Sequence, residues 1–218
     1  SEYLETLPLT VMATENIEAD DAMAYISQQI YPKSQCILMS TDRDFLQLVD
    51  SRVQVWSPTK KKFYDSESVQ QEFLINSKNF ILLKCITGDG SDNIPGIRGA
   101  GIKSLQKRLP LLFEDRKIEL SEVIDYVKNN SDATKLGQAL KDSEDLLNTN
   151  YRLMQLEDVE ISGHAKESIM NIVHADISRL NKRKFEQMVL EDNINGIFKN
   201  PSLWLRESFF PLDNIIGQ

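Results

Sequence analysis

Five of the chain's nine glycines fall within residues 88–101, in the stretch GDGSDNIPGIRGAG. No regular helix or strand runs comfortably through such a segment, because glycine loses more backbone freedom on ordering than any other residue and brings no side chain to pack. The stretch therefore reads as a series of tight turns. Two carboxylates three residues apart in such turns, Asp89 and Asp92, can converge on one point, and hard oxygen ligands of this kind suit a divalent cation such as Mg²⁺ or Mn²⁺. Pro95 fixes the turn, while Gly96, Gly99 and Gly101 allow close approach to another backbone. Lys103 then arrives early in the following helix. A glycine-rich hairpin leading into a helix amino terminus beside a lysine makes a clamp for a phosphodiester backbone. It reads no bases, so it implies binding of duplex by shape rather than by sequence.

The fold class follows from apolar periodicity. Residues 9–13 (LTVMA) and 36–40 (CILMS) are runs of strand length, and 53–56 (VQVW) alternates. Ala22, Ile26 and Ile30 recur every four residues, which predicts a helix over 18–30. Strand, helix, strand predicts an α/β fold with a partial parallel sheet and helical crossovers, whose ligands gather at the carboxyl ends of the strands. A short helix is expected over 42–49. An exposed hairpin is expected at Ser57-Pro58-Thr59, where Lys60, Lys61 and Lys62 read as a solvated loop. Helices are expected over 66–75, 77–87, 99–109, 119–129, 143–157 and 176–191. The domain division drawn from this is 1–86 and 87–218. The aromatic tail from Pro201 reads as packing on the core.

Composition matters where it limits partners. The net charge of -8 argues against nucleic acid unless the acids are concentrated at one site and the bases on a separate face. No apolar run approaches the ~18 residues of a membrane span, so no membrane partner is expected. Cys36 and Cys85 stand far apart without a metal-ligand pattern and read as reduced core residues of a cytoplasmic protein, bacterial or in a phage-infected host. His164 and His174 have no acidic or nucleophilic neighbours in sequence and read as structural or surface residues.

Two further acidic clusters precede the glycine-rich turn. Glu18, Asp20 and Asp21 open the first helix, where acids commonly complement the helix dipole. Asp42 and Asp44 follow the apolar strand, where capping of the next helix serves as well as metal binding. Each cluster alone is ambiguous. Together, seven carboxylates (Glu18, Asp20, Asp21, Asp42, Asp44, Asp89 and Asp92) stand at element boundaries, where they would repel unless cations intervene. Two divalent ions about 4 Å apart would relieve that repulsion and are also the apparatus of phosphodiester hydrolysis.

The string GDGSDNIPGIRGAGIK resembles the helix-three-turn-helix signature of 5′ nucleases, a family that includes flap endonucleases, the 5′ nuclease domain of bacterial DNA polymerase I and phage RNase H enzymes. EADD and STDRDFLQL stand before it in matching order and spacing, and VWSPTKKKFY is similar to the phage RNase H branch. The resemblance covers about residues 7–110. It implies a PIN-like core and a structure-specific, two-metal 5′ nuclease of the flap endonuclease, 5′-3′ exonuclease or RNase H type, acting in replication or repair. The expected substrate is branched or nicked duplex DNA or RNA/DNA with a 5′ end, and replication proteins are expected as further partners. The seven carboxylates are implied as metal ligands, direct or through water. Lys84 is implied beside the scissile strand as a catalytic electrostatic residue. Gly96, Arg98, Gly99, Gly101, Lys103 and Lys107 are implied on the duplex, and carbonyls over Ile97, Ala100 and Ile102 around K⁺. The family's first Asp-bearing strand and basic arch have no counterpart before Glu18, so the chain is expected to lack the amino-terminal segment and to be weak or inactive alone. The competing reading is a non-catalytic duplex-binding module that retains the glycine-rich clamp.

Overall fold

A computed structural model describes residues 2–14, 17–130, 132–194, 196 and 200–216. In chain order they form helix α1 (Glu2–Glu5), α2 (Ala19–Tyr25), strand β1 (Cys36–Met39), β2 (Val53–Ser57), β3 (Lys62–Tyr64), α3 (Ser66–Phe73), α4 (Phe80–Thr87), α5 (Ile102–Arg108), α6 (Leu120–Asn130), α7 (Lys135–Lys141), α8 (Glu144–Met154), α9 (Gly163–Val173), α10 (Lys182–Glu191), α11 (Pro201–Ser208) and α12 (Phe210–Ile216). Helix α2 continues as a π-helical stretch over Ile26–Ile30, and Asp44–Leu48 is a 3-10 helix. None of these helices is long and apolar enough to cross a membrane. The chain packs as two units, Glu18–Glu160 and Ser1–Ile17 with Ile161–Gln218. The division drawn at 86/87 from sequence falls within α4, inside the larger unit.

In the larger unit the sheet has the order β1-β2-β3, with β1 parallel to β2 and β3 antiparallel. The mixed α/β class expected from sequence is borne out. Alternation places Leu38, Val53 and Val55 on the buried face, while Ile37, Met39 and Phe63 stay exposed on the other. Among the described residues no strand pairs with the outer side of β1. The hairpin joining β2 to β3 is where the Ser-Pro-Thr turn placed it. Its lysines are tied down, however: Lys60 and Lys62 bond Glu72 of α3 at 2.7 and 2.9 Å and draw its carboxyl down to about 2.

Helix α4 packs against α8, with Phe80, Ile81, Leu82, Leu83, Cys85 and Ile86 all buried. Burying each large aliphatic or aromatic side chain contributes roughly 2 kcal/mol, so this helix anchors the unit. Three side-chain amides, Gln47, Asn79 and Asn150, are also buried, and each is hydrogen-bonded to backbone. Asn79 ties down the irregular segment after α5, donating to Arg116 O (2.9 Å) and accepting from Ile118 N–H (2.9 Å). The glycine-rich segment then closes against the end of α4. A Cβ on Gly96 would lie 1.9 Å from Thr87 O, and one on Gly88 would lie 2.4 Å from Gly96 N, so two backbones touch where only hydrogen fits.

The smaller unit is built on Leu7, Phe185, Val189 and Leu205, with Trp204 stacked on Phe185 at 5.6 Å. The tail therefore packs into a core. The strand expected over 9–13 does not form. A strand needs a ladder partner, whereas Leu9 N–H turns back to Leu7 O at 2.8 Å and the Leu9 side chain joins this cluster. The helix expected from 176 starts only at Lys182. Leu180 and Asn181 give their N–H groups to Asp213 Oδ1 and Thr6 O, and the Asn181 side chain caps Lys184 N–H. Helices α7, α9, α11 and α12 went unread in the sequence; α9 buries only Ala165 and Ile169 and α12 buries nothing, so their apolar pattern is faint.

Gly96→Ala is expected to destabilise the fold by about 3 kcal/mol because its clash is with backbone. Gly99→Ala, with open space around it but φ +86°, should cost about 1 kcal/mol. Urea unfolding of both variants checks the difference, and equal losses would contradict the close approach.

Candidate metal centre

Each acidic side chain arrives by a different route. Glu18 is the N-cap residue of α2, yet its side chain makes no capping bond. Asp20 and Asp21 occupy the first turn of that helix. Asp42 follows β1 and accepts Asp44 N–H on Oδ1 at 2.8 Å, a local turn bond just before the 3-10 helix, whose N-cap is Arg43; a carboxylate has a second oxygen, and this bond is compatible with ligation. Asp89 follows α4, pairs with Ile94 through mutual backbone bonds of 2.9 and 2.8 Å, and accepts from Ser91 N–H and Oγ–H.

These routes converge. Glu18, Asp20, Asp21, Asp42, Asp44 and Asp92 line one pocket of 380 Å³, walled on its apolar side by Ile94, Leu153, Met154 and Leu156. Asp89 and Lys84 line the neighbouring groove of 510 Å³, which shares Asp42 with the first. Asp44, Asp89 and Asp92 each offer an oxygen within 4.8 Å of the others. All seven carboxylates singled out in the sequence are thus gathered around two adjoining cavities. Ser91 and the apolar wall were missed. Apart from Ile94, the wall comes from α8 and the residues after it, more than a hundred residues from Asp42, and no local pattern announces it.

The electrostatics show the cost of that gathering. Burial pushes Asp20 above the usual carboxylate range, with Asp42, Asp44, Glu18 and Asp21 adding repulsion. Burial also raises Asp21, with Glu18 adding to it. Lys84 Nζ sits between Asp44 and Asp89, bonded to both. The two partners respond differently. Asp44 still rises, because its burial outweighs the lysine and Asp42 and Asp89 repel it. Asp89 falls well below the usual range, because Lys84 and then Ser91 hold its ionised form at a more open position. Burial disfavours the charged amine of Lys84, but its two carboxylate partners prevail and raise it. A cluster of hard oxygen donors with an internal ammonium spread over two of them has the chemistry of a divalent cation site.

The residues assigned to duplex lie on the glycine-rich turn and the start of α5. Gly96, Arg98, Gly99, Gly101, Lys103 and Lys107 are all exposed. Ile97 and Ala100 are buried, with Ala100 N–H donating to Ile97 O at 3.0 Å, and Ile102 opens α5.

Residues 1–74 match the family model of the 5′-3′ exonuclease N-terminal, resolvase-like domain. A 5′-3′ exonuclease of Buchnera aphidicola is 29% identical over 78% of this chain and 60% of its own length. Flap endonuclease Xni of Pseudoalteromonas translucida is 26% identical over 77% and 63%. A flap endonuclease of bacteriophage T5, solved in complex with DNA and metal ions, superposes with a TM-score of 0.59 at 27% identity, covering 83% of this chain and 61% of that one. The chain thus spans about three fifths of the length of such relatives. The resemblance to 5′ nucleases is borne out.

Where metal-free folding is concerned, the raised carboxylates Asp20, Asp21 and Asp44 contribute most below their ordinary pKa, about 4. That contribution is lost as pH rises through their raised values. Asp89 works oppositely, stabilising above the ordinary value and losing that as pH falls. Mn²⁺ should therefore raise the melting temperature more at about pH 7 than at about pH 5. Calorimetry at the two pH values reads this; equal increments would mean that these carboxylates do not hold the ion.

Proposed function

We propose that this relative of 5′-3′ exonucleases and flap endonucleases carries the metal-binding and DNA-gripping parts of a structure-specific 5′ nuclease of DNA replication or repair. The observation that carries the reading is the convergence of carboxylates from α2, the end of β1 and the glycine-rich turn around two adjoining cavities. Glu18, Asp20, Asp21, Asp42, Asp44, Asp89 and Asp92 would hold two Mg²⁺ or Mn²⁺ ions. Such ions, when bound, activate water for attack and neutralise charge that develops on phosphodiester oxygens. The T5 relative solved with DNA and metal ions supports that assignment.

The substrate is branched or nicked duplex DNA, or RNA/DNA, with a free 5′ end. Water attacks phosphorus in line, the bond to the 3′ oxygen breaks, and the products carry a 5′-phosphate and a 3′-hydroxyl. Lys84, largely buried and lining the groove beside Asp42 and Asp89, donates to a non-bridging phosphate oxygen. Arg98, Lys103 and Lys107 present positive charge to the duplex while the exposed glycines let its backbone approach. Carbonyls of Ile97, Ala100 and Ile102 hold K⁺ against the same strand. The work is cytoplasmic.

Asp42→Asn combined with Asp44→Asn should abolish cleavage of a 5′-flap duplex in Mg²⁺ while leaving duplex affinity within about two-fold, because phosphate contacts lie on a separate surface. Cleavage and fluorescence anisotropy measured side by side check this. Parallel loss of both would contradict the division of labour, and duplex binding without cleavage, by this chain alone and equally after an upstream Asp-bearing segment is supplied, would favour a binding module.

A further inference from the structure

The acidic centre is assembled from elements that do not touch one another through their own backbone ladders. Asp44 rides on the 3-10 helix Asp44–Leu48, whereas Asp89 and Asp92 ride on the turn between α4 and α5. Two buried amides connect both to a third element, α8. Gln47 Nε2 donates to Asp44 O at 2.9 Å and to Met154 O at 3.0 Å, and its Oε1 accepts Leu156 N–H at 2.9 Å. One side chain thereby completes the backbone of the acidic 3-10 helix and of the end of α8. Asn150 Nδ2 donates to Cys85 O at 2.9 Å and to Pro95 O at 2.8 Å, joining the last turn of α4 to the glycine-rich segment. Asn150 and Met154 are four apart and share a face of α8. Gln47 is 5% exposed and Asn150 1%, so neither can exchange these partners for water.

We infer that α8 sets the spacing between the two halves of the acidic centre, with Gln47 and Asn150 as its positioning residues. This rests on the two-ion reading above. A pair of ions about 4 Å apart tolerates little change in the separation of its ligands, and supporting partners of ligands typically govern affinity by about ten-fold or more. Asn79 supplies the built-in comparison. It is an equally buried amide with equally good backbone bonds, but it grips residues 112–118, which carry none of the seven carboxylates of the centre.

Mn²⁺ electron paramagnetic resonance on the whole chain tests the inference. The unaltered protein should show a spin-coupled Mn²⁺ pair. Gln47→Met and Asn150→Leu should each lose the coupling, with the second ion bound about ten-fold more weakly and one uncoupled ion retained. Asn79→Leu should lower the melting temperature yet keep the coupled pair. Coupling that survives in both Gln47→Met and Asn150→Leu would reduce the amides to structural fasteners and overturn the inference. Because buried variants can fail to fold, hydrogen exchange on the unaltered chain supplies a second reading. Mn²⁺ should slow exchange of the Leu156 amide, held by Gln47, and not that of the Ile118 amide, held by Asn79; equal protection of both would also overturn it. An unaltered chain that binds no Mn²⁺ pair would instead remove the two-ion reading itself, and this inference with it.

Discussion

Like charges held within a few ångströms of one another dominate this molecule. Carboxylates from three separated parts of the sequence converge where each raises the cost of ionising the next, and beyond the Lys84 link between Asp44 and Asp89 their hydrogen bonds do not hold the clusters together. The surrounding apolar packing does. Helix α4 is buried along nearly its whole length, so the turn that follows it has a fixed origin, and the sheet fixes Asp42 at the end of β1. Lys84 is the charged residue on α4, and it spans Asp44 and Asp89. A structure that spends hydrophobic burial on confining negative charge stores a preference for cations that it satisfies internally only in part.

Positive charge is kept apart from this cluster. Arg98, Lys103 and Lys107 stand exposed on the glycine-rich turn and α5, so a chain with net charge -8 still offers phosphates a basic surface. The acidic cluster and these basic residues thus occupy neighbouring but distinct surfaces of one unit, joined by the segment in which Gly88 and Gly96 meet.

Much of the centre was legible in the sequence because its information is local. GDGSDN places Asp89 and Asp92 in one turn, and Asp42 and Asp44 follow directly on an apolar strand. The bland alternative for Asp42, helix capping, is not what forms: Arg43 is the N-cap, and Asp42 only closes a local turn onto Asp44 N–H. What stayed hidden depends on partners far along the chain. Gln47 meets Met154 across 107 residues and Asn150 meets Cys85 across 65, and an amide's value lies wholly in what it reaches. The misread strand at 9–13 has the same origin. An apolar run specifies burial, but whether it is buried as a strand or as a loop wedge depends on whether a neighbour offers it a ladder. Helix α9 was missed for the opposite reason, since two buried residues leave little periodicity to read.

The sheet carries one more consequence. Ile37 and Met39 are 61% and 66% exposed on a strand whose outer backbone groups meet no other strand among the described residues. Such an edge is a template for adding another chain. Against it stands the mutual repulsion of strongly acidic molecules, which acts through solvent and fades over a Debye length of about 8 Å at physiological salt. Colloidal behaviour is therefore coupled to ionic strength: dilute buffers keep the molecules apart, while concentrated salt lets exposed edges find each other.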